Sequence, residues 1–320
     1  MTHIKPARLR IAVVGAGRIG SAFAFQLVQS GGHEITVVAR SGSDRLRTLR
    51  RDQAIINVHG ERASVTVCDV LDEATPYDLV IVTLLAHQAD AILPALQRSA
   101  ARCIQFMFNT FDPEHVETAI GIDRCAFGMP FIQSRLDADG RLDVTIGAGG
   151  QKTLMSDRRW VEVFKTAGLP AAIEPDMKLW LRCHAPLCIA FESVSIAAMR
   201  RGGGASWDEA MILARGVKAG FGLIRSLGQK VHPGSKRWLD RSPVFVMAGM
   251  LWSLSRIAGF REVLATGEAE CEALVAELVA SSRTAGQLVD VSRILAMSPS
   301  RMAPRSQGRD RGAPGRHPPA

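Results

Sequence analysis

A glycine-rich turn between a strand and a helix constrains this chain more than any other feature. Leu9-Arg10-Ile11-Ala12-Val13-Val14 is short, apolar and rich in β-branched residues, as in a fully buried strand. Gly15-Ala16-Gly17-Arg18-Ile19-Gly20 follows at once, and residues 21–28 read as helix. Strand, G-x-G-x-x-G, helix is the context in which a dinucleotide fingerprint has physical meaning. Gly15 permits the tight turn, Gly17 lets the backbone approach a pyrophosphate, and Gly20 lets the helix pack close to the strand. Free N–H groups at the helix start, at the positive end of its dipole, then hold the anion. Gly15, Ala16, Gly17, Arg18, Ile19 and Gly20 are the cofactor contacts this turn predicts.

The second strand selects the nucleotide. It runs over residues 33–40 and ends in Ala39-Arg40-Ser41, with no acid to accept from ribose hydroxyls. Glu34 lies at the other end of that strand. A guanidinium at Arg40 suits a 2′-phosphate, which its planar fork can bind in a bidentate manner. NADPH is therefore expected over NADH.

The rest of the chain bounds the architecture. At 320 residues, 47% hydrophobic and 22% charged, it suits one large or two ordinary globular domains. Strand and helix patterns alternate to about residue 175, which predicts a doubly wound, mostly parallel sheet over 1–175. Strands are expected at 63–68 (at an edge or in an antiparallel pair), 77–83, 103–109, 141–146 and 171–174, and helices at 43–54, 88–99, from Pro113, and at 156–167. From Asp176 the pattern turns helical and gives an all-helical domain over 176–298. There Ser206-Trp207-Asp208-Glu209 reads as a capping box, Asp176 as a helix start, and residues 244–252 as a buried helix too short to span a bilayer.

The formal net charge is +8, and part of it lies in a Pro-, Gly-, Arg- and Ser-rich stretch over 299–320, with five Arg against one Asp. That stretch is expected to be a disordered, solvated tail. It holds no Phe, Tyr or Trp for stacking, so a nucleic-acid partner is not expected. The six cysteines show no C-x-x-C and no metal-ligand spacing, which suits a reducing cytoplasm and no bound metal. Cys188 and Glu192 follow His184 at i+4 and i+8, and read as a shared helix face. No membrane association is expected, and a homodimer is the assembly left open.

Four stretches together resemble the ketopantoate reductase (2-dehydropantoate 2-reductase) family over residues 9–290. They are residues 11–17 with Arg40; Val82-Thr83-Leu84-Leu85-Ala86-His87-Gln88 with Ala91-Ile92-Leu93-Pro94-Ala95-Leu96; Asn109 at the end of its strand; and Lys178-Leu179-Trp180-Leu181-Arg182. Glu270-Cys271-Glu272-Ala273-Leu274 is a fainter match. The resemblance implies a Rossmann domain joined to a helical domain, an active site in the cleft between them, cofactor contacts at Leu84 and Asn109, and substrate binding by Glu270.

The departures bear on chemistry. Leu85 replaces one family lysine, and Arg182 replaces the lysine that donates a proton to the ketone. Pro186 and Ala190 replace two asparagines on the same helical face. Arg182 can clamp a carboxylate or a developing alkoxide, but it is a poor general acid because its pKa is far above neutral. His184 has a suitable pKa, and a kink at Pro186 could turn it into the cleft. His87, just past the site of the lost lysine, is a second histidine candidate. Arg182, His184 and Asn109 are thus the catalytic candidates, with Arg182 and Glu270 on the substrate. The function expected is an NADPH-dependent reductase of a small 2-oxo acid or related carbonyl. The alternative is a non-catalytic NADPH-binding sensor or regulator, since an intact fingerprint beside an emptied substrate face would look like that.

Overall fold

The computed structural model describes residues 8–265, 267–286 and 288–302. Strand β1 (Arg10–Val14) leads into α1 (Arg18–Gln29), β2 (Glu34–Val38), α2 (Asp44–Asp52), the hairpin β3 (Ala54–Ile56) and β4 (Arg62–Ser64), β5 (Thr66–Cys68) and β6 (Leu79–Val82). Two short helices, α3 (Ala86–Ala89) and α4 (Leu93–Arg98), precede β7 (Ile104–Met107), α5 (Pro113–Ile120) and β8 (Cys125–Met129). A second hairpin, β9 (Gln133–Leu136) and β10 (Leu142–Thr145), precedes β11 (Thr153–Met155), α6 (Arg158–Thr166) and β12 (Ala171–Ile173). Helices follow: α7 (Met177–Arg200), α8 (Trp207–Ser226), α9 (Gly234–Arg241), α10 (Val244–Leu254), α11 (Ala258–Leu264), α12 (Glu268–Ser282) and α13 (Val291–Leu295).

Eight strands form one sheet in the order β12-β11-β8-β7-β6-β1-β2-β5. All neighbours are parallel except β8 and β11. The chain leaves β1 toward β2 and β5 on one side and returns to β6, β7 and β8 on the other. The order reverses between β1 and β6, and a crevice opens at such a switch point beyond the carboxyl ends of the strands. Strand alternation explains the double winding. Ile11 and Val13 pack with Phe23, Leu27 and Phe164 on one face, while Ala12 and Val14 pack with Val80, Val82, Leu93 and Phe106 on the other. Both faces are covered, as a parallel sheet requires.

Helix α7 joins the layers. Its first turns (Met177, Trp180, Leu181) complete one face of the sheet, and its later turns (Leu187, Ile189, Val194) enter the helical core with Val217, Phe221, Leu251 and Leu278. Pro186 does not end it, because α8 approaches closely there: a Cβ at Gly220 would lie 2.7 Å from Pro186 Cγ. The α8 capping box forms, with Ser206 Oγ accepting from Glu209 N at 3.1 Å and Glu209 Oε2 from Ser206 N at 2.7 Å.

Several expectations need correction. The strand expected at 63–68 is two, and they take the two settings expected for it: β4 pairs antiparallel in a hairpin and β5 lies at the sheet edge. The helix expected over 88–99 is broken into α3 and α4, because Pro94 in the first turn of α4 has no N–H for a continuing ladder. Residues 141–146 lie in the β9–β10 hairpin, outside the main sheet. Asp176 precedes α7 without a side-chain cap. Helix α10 buries only Met247, Ala248 and Leu251 and leaves Phe245 60% exposed. Pro299 O accepts from Arg200, and Met302 packs on the helical core, so the start of the expected tail is docked. Its remainder, 303–320, lies outside the described residues. No helix among the described residues is long and apolar enough to cross a membrane.

Candidate active site

The glycine turn is built as its spacing requires. Gly15 has φ +105°, a conformation that L side chains rarely adopt, and its N–H donates to Val38 O at 3.0 Å. A Cβ on Gly20 would lie 1.9 Å from Gly15 O, so α1 can start here only with glycine. At Gly17 a Cβ would meet nothing within 4 Å. Gly17 is the N-cap of α1 and supplies no side-chain cap for the first-turn N–H groups, which lack intrahelical partners. Thr83 Oγ1 donates to Gly15 O at 2.8 Å and ties the turn to the end of β6.

A groove of about 730 Å³ runs along this turn, lined by Gly15, Ala16, Gly17, Arg40, Ser41 and Leu84 among others. Arg40 is exposed, and its side chain has no hydrogen bond or ion pair among the described residues. Arg45, which the sequence does not flag, lines the same groove and braces the turn. Its Nε donates to Ala16 O at 3.2 Å, Nη1 to Gly140 O at 2.7 Å and Nη2 to Ser21 Oγ at 2.9 Å. The acid in this groove, Asp69, is paired with Arg50 at 3.0 Å.

The groove adjoins a second cavity of about 420 Å³ at Leu85, which lines both. Arg18 and Ile19 of α1 form one wall of this cavity, β9 and β10 another (Gln133, Arg135, Asp143), and α11 a third (Glu262). Glu192 of α7 and Glu270 of α12 complete it. Glu192 is only 7% exposed, and a Cβ on Gly267 would fall 1.7 Å from its Oε2, so the carboxyl lies against bare backbone. Its two oxygens accept from thiols, Oε1 from Cys188 Sγ and Oε2 from Cys271 Sγ, each at 3.3 Å. Asn109 Nδ2 donates to Glu270 Oε1 at 2.7 Å and to Cys188 Sγ at 3.2 Å. Glu277 holds the Asn109 loop by accepting from Phe111 N at 2.6 Å and Thr110 Oγ1 at 3.0 Å.

The electrostatics follow from burial and like charge. Burial, and then the Glu270 charge, push the Glu192 carboxyl well above the usual carboxylate range. Glu270 is raised by burial, while the Asn109 hydrogen bond and the charges of His87 and Arg18 pull it back. Cys188 is raised far above an ordinary thiol by burial and by the two carboxylates. Donor atoms of Cys188, Glu192 and Glu270 lie within 4.8 Å of one another, a spacing an ion could bridge. Cys188 Sγ here donates to Glu192 Oε1 and accepts from Asn109 Nδ2.

The other sequence candidates are placed elsewhere. Arg182 lines neither cavity: its Nε donates to Phe111 O at 3.0 Å, Nη1 to Gln229 Oε1 at 2.9 Å, and Nη2 pairs with Glu114. Those bonds consume the fork that was to clamp substrate. His184 stacks on Trp180 at 4.6 Å between ring centroids, on a helix that continues through Pro186. Burial and the Lys236 charge push its pKa down to about 3, which disfavours the imidazolium that would act as general acid. Asn109 is 8% exposed and lines neither cavity; its amide is spent on Glu270 and Cys188. His87 lines a separate hollow with Asp90, His115 and Glu277. Glu270 is in the cavity, as are Arg18 and Ile19, which lie beyond the groove.

Residues 11–158 match the family described as ketopantoate reductase PanE/ApbA. No curated protein matches the chain in sequence. Among solved structures, a D-mandelate dehydrogenase in complex with NADH superposes with a TM-score of 0.68 at 14% identity, covering 90% of this chain and 96% of the other. A PanE/ApbA family ketopantoate reductase from Ralstonia eutropha JMP134 gives 0.69 at 14%, covering 91% and 96%. A 2-dehydropantoate 2-reductase from Porphyromonas gingivalis W83 gives 0.64 at 16%, covering 92% and 99%. At such identities the likeness is one of fold.

Proposed function

The α/β part of this chain is that of a divergent ketopantoate reductase family member, and from that premise we propose that the protein is an NADPH-dependent reductase of a small carbonyl compound. The observation that carries the reading is the meeting at Leu85 of an open dinucleotide groove and a cavity walled by two carboxyl side chains. The residues fit the cofactor. Gly17 leaves unfilled the space a pyrophosphate needs, and Arg40 is free to meet a 2′-phosphate. Bound there, the reduced nicotinamide supplies a hydride.

The cavity also bears on substrate. Its lining sets Asp143, Glu192, Glu262 and Glu270 against Arg18 and Arg135, and Arg135 is paired with Glu262 at 3.2 Å. With Arg182 engaged elsewhere, this wall favours an uncharged ketone or aldehyde over a 2-oxo acid. The sensor reading loses its motive, because the face left without asparagines at Pro186 and Ala190 is replaced by one carrying Cys188 and Glu192.

The test is consumption of NADPH by absorbance against a panel of uncharged ketones, aldehydes and 2-oxo acids, with cofactor binding followed by fluorescence. Turnover of uncharged carbonyls is expected. Tight NADPH binding with no turnover across the panel would overturn the reductase reading in favour of a sensor.

A further inference from the structure

Hydride addition to a carbonyl leaves charge on oxygen, and a donor must quench it. Neither Arg182 nor His184 can serve. Resting on the reductase reading above, we propose that Glu192 is the catalytic acid that protonates the substrate oxygen, with Glu270 as the ionised partner that keeps the proton on Glu192.

The geometry separates the two carboxyls. Glu270 accepts a strong amide hydrogen bond from Asn109, and the Arg18 and His87 charges favour its anion. Among the described residues Glu192 accepts from two weak thiol donors, is packed against Gly267, and lies beside Glu270 in the cavity. An ionised carboxylate with only thiol donors in so buried a place would be costly, whereas the neutral acid is not. Two carboxyl groups in unequal surroundings divide into one acid and one anion, a recurrent arrangement in acid–base sites. Asn109 also carries a spare acceptor here. Asn109 Oδ1 is buried with no donor among the described residues, so the same amide, half-turned, could accept from Glu270 when the proton lies there.

The step balances. The carbonyl carbon gains a C–H bond with the hydride's electron pair, and the C=O π pair moves to oxygen. The Glu192 O–H bond breaks as the alcohol O–H bond forms. The products are the alcohol, the oxidised nicotinamide and a Glu192 carboxylate, which solvent reprotonates through the cavity. The groups that face Glu192 and set its titration are Cys188 on its own helix, Glu270 and Cys271 on α12, and Arg18 on α1. Glu262, Arg135 and Asp143 stand on the remaining walls.

The test has two readouts. In cofactor-free protein, infrared difference spectra across pH should show a protonated carboxylic acid near neutrality that is absent in Glu192→Gln. With NADPH and the best carbonyl of the panel, wild-type kcat should fall on the alkaline side as Glu192 ionises. Glu192→Gln should lower kcat about 10²–10⁴-fold and abolish that limb, with NADPH affinity unchanged. Glu270→Gln should move the limb to lower pH, because removing the anionic neighbour lets Glu192 ionise more easily; this arm remains informative if Glu192→Gln misfolds. Kinetics in Glu192→Gln within a few-fold of wild type and with the same limb would overturn the proposal while leaving the reductase intact. Stoichiometric metal in the purified protein that is lost in Glu192→Gln would also overturn it. Absence of any turnover by NADPH-bound wild type would remove the reductase reading and the donor role together.

Discussion

Replacing Arg40 by alanine should weaken NADPH and spare NADH. Arg40 stands at the end of β2 in the groove, exposed and without a partner among the described residues, so no internal contact is lost with it. A hydrogen bond to a charged group contributes about 1.5–3 kcal/mol net, and exposure to water places this contact at the lower end. About 1.5–2 kcal/mol corresponds to about a 10–30-fold rise in Kd for NADPH. The NADH value should stay within about twofold, since only the 2′-phosphate is addressed. Fluorescence titration of both cofactors against wild type and Arg40→Ala reads this directly, and the wild-type preference should shrink as salt is raised. Asp69→Ala supplies the counter-test, because Asp69 is the acid in the groove that could accept from ribose hydroxyls. Equal weakening of both cofactors by Arg40→Ala would refute the assignment. So would tighter NADH binding that depends on Asp69, and the protein would then be NADH-dependent.

Gly17→Ala and Gly20→Ala should behave oppositely: the first keeps the melting temperature and loses NADPH binding, since its Cβ points into open space. The second lowers soluble yield and melting temperature, since its Cβ would collide with Gly15 O at 1.9 Å. Arg182→Ala should cost about 2–3 kcal/mol in denaturant unfolding, from three lost hydrogen bonds at about 1 kcal/mol each, with NADPH affinity unchanged. Lys236 is buried, 2.9 Å from Trp180 O and 3.5 Å from the centre of the Trp180 ring, and burial pushes its pKa from 10.5 down to about 7. Between those values the unfolded chain holds more protons than the folded one, so this group's contribution rises with pH. That fall is worth about 5 kcal/mol at most, and a ring that favours the ammonium by about 2 trims it to about 3. Wild type should therefore gain about 2 kcal/mol over Lys236→Met between about pH 7 and pH 10 in denaturant titrations, and a flat difference would refute it.

The sheet could be read from the sequence where its strands are buried on both faces. Runs such as Ile11-Ala12-Val13-Val14 and Leu79-Val80-Ile81-Val82 have no solvent side, so composition alone marks them. The glycine turn was legible for a related reason: Gly15 and Gly20 meet steric demands set within a few residues of themselves. The two hairpins were legible by halves, since the strands expected at 63–68 and 141–146 cover β4 and β10 but not their partners β3 and β9. Strands of three or four residues such as β3 and β9 carry too little alternation to separate them from loop. Arg45 was equally invisible, because its importance lies in reaching Ala16 O and Gly140 O, far from it in sequence.

The site was missed by a rotation of one helix. Matching the Leu-Trp motif places the working face of α7 at 182, 186 and 190. The stripe that meets Asn109 and Glu270 instead carries Cys188 and Glu192, two residues further on. Two residues are about 200° around a helix, so the motif match selects nearly the opposite side. Nothing within α7 fixes that rotation. It is set by what packs against the helix: Gly267 admits the Glu192 carboxyl on one side, and Gly220 of α8 admits Pro186 on another. One local signal was available. Glu192 interrupts the apolar run from Leu187 to Phe191, with no Lys or Arg three or four residues away in either direction. An acid placed so must be buried without a helical counter-ion, and its pKa must rise, which is a mark of a working site rather than of a solvated face. The missing lysine and this glutamate then become one observation: a helix that has lost its cationic donor on one face carries a neutral one on nearly the opposite face.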